Sequence, residues 1–251
     1  MNPETMDGVR RSVIAASILD ADFASLGNAV RRVAAAGVDR VHLDVMDGHF
    51  VPNLTFGARM IKALRPYTDI PFDAHLMIAE PGRYMDEFLE AGPESITFHV
   101  EVSEPIEPVL QQIRSAGRRA GLALRPATPM SAIEPYADLL DIIMIMSIEP
   151  GFGGQALMPD VLREKAPGAR SLLGERGRGG EVHVDGGVNR DTAALVGSAG
   201  CDVLVVGSAL FRAEQDMAGE VRLVRSLADG ALQRVDGAPR AGQRGGDTSA
   251  G

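Results

Sequence analysis

Short apolar runs recur along the chain at intervals wide enough to hold a helix. They fall at Val13–Ser17, Arg40–Val45, Phe72–Leu76, Ser95–His99, Gly121–Leu124, Ile142–Met146, Glu181–Asp185 and Val203–Val206. Their length and near-continuous apolar character fit strands buried on both faces. Helical periodicity fills the spaces between them, over Phe23–Ala36, Pro81–Ala91, Pro105–Ala116, Met158–Leu173 and Asp191–Ala199. Several of these helices run into a glycine (Gly37, Gly92, Gly117, Gly200), the residue that most readily takes the left-handed conformation ending a helix. Eight strands alternating with helices predict a parallel sheet. The count of eight favours an α/β fold of the (β/α)8 TIM-barrel type over an open doubly wound sheet.

The polar residues that break the pattern gather where the strands end. Ser17 closes the first strand, His42 and Asp44 lie at the end of the second, and His75 at the end of the third. Met146-Ser147 ends the sixth, Asp185 the seventh and Gly207-Ser208 the eighth. In a barrel this end is the active face. His42 and Asp44 are two residues apart, so strand alternation sends both to one side. A single strand histidine is ordinarily a hydrogen-bonded core group. Two imidazoles and two carboxylates converging at one end are different, because unpaired buried charge there is costly. Such a His2Asp2 set suits a divalent ion: zinc, and equally iron(II), manganese or cobalt.

Three glycine-rich loops follow strands six, seven and eight: Pro150-Gly151-Phe152-Gly153-Gly154-Gln155, Asp185-Gly186-Gly187 and Gly207-Ser208-Ala209. Each alone is an ordinary tight turn. Adjacent around a barrel, they predict a cradle of backbone N–H groups for phosphate.

Composition narrows the classes further. The 251 residues carry a net charge of −9, so no positive field exists to collect nucleic acid, while a local phosphate cradle needs none. One cysteine, Cys201, excludes an internal disulfide framework and fits a reducing cytoplasm. No apolar run approaches the ~20 residues of a membrane span, and the polar start does not read as a signal peptide. Residues 1–11 are expected to be a flexible extension, 12–234 a single catalytic barrel and 235–251 a disordered tail poor in apolar residues. Gly174–Gly180 reads as a flexible connection.

The longer motifs resemble one family. Ser17-Ile18-Leu19, the stretch from His42 to Asn53, Asp73-Ala74-His75-Leu76-Met77, the stretch from Glu149 to Gln155, Val184-Asp185-Gly186-Gly187 and Gly207-Ser208-Ala209 are similar to those of ribulose-phosphate 3-epimerases, from about Val13 to Phe211. The resemblance implies a ribulose-phosphate-binding barrel that interconverts D-ribulose 5-phosphate and D-xylulose 5-phosphate through a metal-stabilised enediolate, in pentose metabolism. It implies His42, Asp44, His75 and Asp185 as ligands of one divalent ion per subunit, zinc or iron(II) foremost. Asp44 would take the C3 proton and Asp185 return one on the other face. Ser17, His75 and Asp185 would touch the substrate; Gly151, Phe152, Gly153, Gly154, Gly186, Gly187, Gly207 and Ser208 would hold its chain and phosphate. Met46, Met77 and Met146 stand beside the site, either as ordinary core or as a cap on the intermediate. The implied assembly is a homo-oligomer, dimer or hexamer, with a small phosphorylated ketose and neither nucleic acid nor membrane as partner.

Some positions depart from the family pattern. Ala16 replaces a proline before Ser17, and Asp20 replaces a serine or asparagine and adds negative charge near the mouth. Arg125 is expected in an ion pair at the surface or the barrel end rather than on phosphate. His183 and His99 are expected behind the ligands as hydrogen-bonding groups. The competing readings are an epimerase of a hexulose phosphate, a metal-dependent hydrolase using the same four residues to activate water, and a binding protein on an inactive barrel.

Overall fold

The apolar runs become strands because both of their faces are covered, one by helices and the other by the barrel interior. The computed structural model describes residues 10–174, 179–213 and 215–236. Its strands are β1 (Val13–Ser17), β2 (Arg40–Met46), β3 (Phe72–Met77), β4 (Ser95–His99), β5 (Arg119–Leu124), β6 (Ile142–Met146), β7 (Glu181–Asp185) and β8 (Val203–Val206). Each pairs in parallel with the next, and β8 pairs with β1 to close the barrel. The expected strands agree, except that β2 and β3 run one residue further and β5 begins two residues earlier.

The helices among the described residues are α1 (Leu26–Ala35), α2 (Ala58–Leu64), α3 (Pro81–Ala91), α4 (Ile106–Ser115), α5 (Pro159–Gly174), α6 (Ala193–Ser198), α7 (Ser208–Arg212) and α8 (Met217–Asp236). Gly37, Gly92, Gly117 and Gly200 follow α1, α3, α4 and α6 with positive φ, as helix-ending glycines should. Between β5 and β6 the crossover is made of 3-10 turns, Met130–Ala132 and Glu134–Leu139. Pro126, Pro129 and Pro135 punctuate that segment and remove the backbone donors an α-helix needs.

Alternation along the strands divides the core in two. Val41, Leu43 and Val45 of β2 face outward with Phe72, Ala74 and Leu76 of β3 into the apolar sleeve beneath the helices. Arg40, His42, Asp44 and Met46 alternate with them and face the barrel axis. Part of that interior is apolar: Val13, Ala15, Val203 and Val205 on one side, Ala123, Met144 and Met146 on another. Met46 and Met77 add a third apolar patch, and the polar remainder comes from β1, β2, β3, β4, β5 and β7. No described helix is long and apolar enough to cross a membrane.

Arg10 pairs with Asp202, and helix α8 continues through Asp236, two residues into the stretch expected as a tail. The rest of the expected extension and tail, and residues 175–178 of the expected connection, lie outside the described residues.

Candidate active site

Buried charge inside a barrel persists only where it is paired. At the N-terminal end of the strands, buried Glu181 receives both guanidinium nitrogens of Arg40, at 2.7 and 2.8 Å, and Arg119 at 2.8 Å. His183 Nε2 meets the same carboxylate at 3.0 Å, and its Nδ1 lies 3.6 Å from Asp73. Asp73, fully buried, accepts from Ser95 Oγ at 2.6 Å and from His42 Nδ1 at 2.9 Å. One polar column thus climbs the axis from Glu181 to His42.

The column fixes which nitrogen of His42 faces the cluster. Asp73 takes the Nδ1–H of His42, so in the neutral ring Nε2 presents a lone pair. That Nε2 is buried and makes no hydrogen bond, 3.3 Å from Asp44 Oδ1. A second relay serves His75. Burial lowers His99 to about 4, outweighing its hydrogen bond to Glu101, so its ring is neutral at pH 7. Burial would raise Glu101, yet its bonds to His99, Thr128 and the Arg125 backbone bring it down to about 2. The ionised Glu101 therefore accepts Nδ1–H of His99 at 3.0 Å, leaving His99 Nε2 to accept from His75 Nε2–H at 3.0 Å. His75 Nδ1 then faces Asp44 at 3.1 Å and Asp185 at 3.4 Å, where it carries a proton between the two carboxylates and would present a lone pair once a cation displaces that proton.

His42, Asp44, His75 and Asp185 each offer an atom within 4.8 Å of the others. Burial opposes charge on all three of the fully enclosed members, but their mutual attraction prevails: His42 is held well above the ordinary histidine range, His75 is raised, and Asp44 is held well below the usual carboxylate range. The donor set fits a divalent cation: two imidazole nitrogens aimed inward, one without a hydrogen-bond partner, whose protons a cation would displace, and two carboxylates that would neutralise its charge.

Above the cluster lies one cavity, lined by Ser17, Asp44 and Asp185 below and by the glycine loops after β6, β7 and β8. Ser17 Oγ donates to Asp44 Oδ2 at 2.6 Å, so alanine at position 16 leaves Ser17 aimed into the site. The turn after β7 must be glycine for two reasons. Gly186 and Gly187 have φ of 113° and 66°, and a Cβ on Gly187 would stand 2.4 Å from Leu157 N. This close approach packs the β7 turn against the β6 loop. Asn53 from the β2 loop donates to the Gly151 carbonyl at 2.7 Å and ties the remaining wall.

The profile of the ribulose-phosphate 3 epimerase family matches residues 13–211. The chain belongs to that family. It is 45% identical over 199 residues to the ribulose-phosphate 3-epimerase of Bacillus subtilis (strain 168), covering 79% of this chain and 91% of that protein. The Escherichia coli (strain K12) ribulose-phosphate 3-epimerase is likewise 45% identical, over 81% of this chain and 90% of that one. Family membership makes the chain an isomerase of the epimerase kind. Among solved structures, 3-hexulose-6-phosphate synthase from Salmonella typhimurium superposes with a TM-score of 0.61 at 18% identity, covering 89% of this chain and 99% of that one. At that identity it shares the barrel alone.

Within the family frame, the four expected ligands converge, and all the expected substrate contacts except His75 line the cavity directly. His75 sits beneath, fully buried. Met46, Met77 and Met146 are buried and line the same cavity. His99 and His183 stand behind the His2Asp2 cluster. Arg125 requires a correction. Its guanidinium donates to the Phe50 carbonyl at 2.8 Å and lies over the Phe50 ring at 4.5 Å rather than joining a barrel-end ion pair. The strand pattern gave no role to Asp73 or Glu101, though both stand two residues from an inward histidine and so face the same way.

Proposed function

We propose that this chain interconverts D-ribulose 5-phosphate and D-xylulose 5-phosphate, with Asp44 and Asp185 moving the proton at C3. The observation that carries the reading is the pair of carboxylates from β2 and β7 that flank one cavity and meet across a single imidazole nitrogen. Epimerisation next to a ketone needs a proton removed from one face and returned to the other, and two separate bases do this without turning the intermediate. Asp44 is the acceptor: Ser17 orients it from the cavity side, and the two histidines hold it ionised. Asp185, the member of the cluster that is not fully buried, is the donor on the other face.

A carboxylate with so low a pKa is a weak base, so the carbon acid has to be strengthened. A divalent cation held by His42, Asp44, His75 and Asp185 supplies that Lewis acidity when bound. Zinc or iron(II) suits this donor set first, then manganese or cobalt. The methionines wall off water around the reacting carbon, which favours return of the proton from Asp185 over leakage to solvent. The loops around Gly151–Gly154, Gly186–Gly187 and Gly207–Ser208 hold the chain and phosphate through backbone N–H groups. The same reading carries a catalytic barrel over residues 12–234, a dimeric or hexameric assembly, and a cytoplasmic location.

The test is proton NMR of metal-loaded protein with D-ribulose 5-phosphate in D2O. The expected result is D-xylulose 5-phosphate carrying deuterium at C3, with no phosphate released and with turnover lost on chelation. Asp44→Asn should lower turnover by about 10²–10⁴-fold, the usual worth of a positioned base. Release of phosphate would indicate the hydrolase instead, and exchange only with a hexulose phosphate would move the substrate assignment.

A further inference from the structure

The cavity holds more negative charge than a dianionic ligand should meet. Asp20, Asp44 and Asp185 all line it, and Arg212 is the only Lys or Arg among the described residues that does so. A cation at the cluster can offset Asp44 and Asp185, which leaves Asp20. Arg212 is the last residue of α7, and a Cβ built on Gly154 would lie 3.5 Å from its Nη2, so the guanidinium reaches from the β8 side to the β6 loop. Asp20 comes from the 3-10 turn after β1 and leans on the same loops. Cβ atoms built on Gly153 and Gly207 would stand 2.8 and 3.2 Å from Asp20 Oδ2. A carboxylate therefore occupies room that these glycines leave open in the proposed phosphate cradle. Burial raises the Asp20 carboxyl, the charge of Arg212 pulls it back, and that of Asp44 adds to the rise.

We propose that Arg212 is a side-chain contact for the substrate's phosphate, and that Asp20 competes with the phosphate for it. The inference rests on the sugar-phosphate reading given above. Backbone N–H groups satisfy phosphate oxygens but bring only partial charges, whereas a guanidinium brings a full one in a geometry matched to phosphate. With Asp20 lining the same cavity and within reach of its charge, part of that charge is already spoken for. The affinity for phosphate is then set by the difference between two anions contending for one cation, which makes this pair a determinant of how strongly the site demands a phosphorylated ligand.

The experiment is calorimetric titration of the metal-loaded full chain with inorganic phosphate, for wild type, Arg212→Ala, Asp20→Asn and the double variant. Arg212→Ala should weaken phosphate about tenfold, the worth of one part-exposed charge-assisted contact. Asp20→Asn should tighten it severalfold, and that gain should shrink once Arg212 is gone, a non-additivity that a merely structural role would not produce. With D-ribulose 5-phosphate, the loss in Arg212→Ala should fall mainly on KM rather than kcat. Phosphate affinity unchanged in Arg212→Ala, or weakened in Asp20→Asn, overturns the proposal, as does a wild type that binds no phosphate. Turnover reports on the underlying reading separately. Full turnover with phosphate binding indifferent to Arg212 sinks this inference alone, while Arg212-dependent phosphate binding without turnover sinks the epimerase reading alone.

Discussion

Replacing Asp73 by asparagine tests the proposed metal site without touching any of the four residues of the His2Asp2 cluster. The carboxylate is fully buried, accepts from His42 Nδ1 at 2.9 Å and Ser95 Oγ at 2.6 Å, and lies 3.6 Å from His183 Nδ1. Burial would raise its pKa, but His183 and His42 more than offset that and hold it well below the carboxylate range. Asparagine keeps the shape and gives up the charge. Its amide oxygen can still accept one of the two hydrogen bonds, so the loss to stability is that of one bond to a charged acceptor, about 2 kcal/mol. The larger signal is expected in metal binding. Without the anion behind it, His42 is a poorer donor, and its ring is no longer confined to the tautomer with a free Nε2. Loss of such an outer partner typically weakens metal 10–100-fold, or about 1.4–2.8 kcal/mol. Competition against a chelator of known affinity measures the metal affinity, and urea unfolding of the metal-free protein measures the stability. A variant that loses stability yet binds metal as tightly as wild type would refute the tautomer argument and reduce Asp73 to a packing role.

Two further outcomes follow from buried charges remote from the cavity. Glu181 has its pKa pulled below the ordinary 4.5 by His183 and Arg40 despite burial, so it stabilises the fold above that pH and ceases to as pH falls toward its folded value. Urea midpoints measured between about pH 5 and 3 should therefore drop less steeply for Glu181→Gln than for wild type, from a lower starting stability because Arg40 and Arg119 lose their partner; equal slopes would contradict this. Lys165 is buried and its Nζ donates to the carbonyls of Arg125, Pro126 and Thr128 at 2.7, 2.7 and 2.6 Å. Lys165→Met should cost about 2–4 kcal/mol in thermal or urea unfolding by stranding those acceptors, and a loss under about 0.5 would mean water replaces the ammonium freely.

The strands, the barrel and the direction each strand residue faces were legible in the sequence alone, because they depend on periodicity. A two-residue period put His42 and Asp44 on one face of their strand, and Asp73 and His75 on one face of theirs. The paired glycines after Asp185 marked a turn with no room for side chains. What periodicity cannot supply is depth. Asp73 and His75 face the same axis, yet one belongs to the cluster and the other supports it from below. Lateral register decides this: β3 pairs with β2 so that Asp44 stands beside His75, and His42 beside Asp73. The relay from Glu101 through His99 likewise exists only because β4 brings Thr97 level with His75, so that His99, one step further up, leans over it. Loop residues were the least legible. Arg125 could have met an acid or a phosphate as readily as the Phe50 carbonyl, and nothing local to Arg212 or Asp20 announces that β1 and β8, neighbours once the barrel closes, bring them to one cavity. Sequence determined which groups face inward; closure of the sheet decided which of them meet, since contact across a barrel depends on stagger between strands that no single strand encodes.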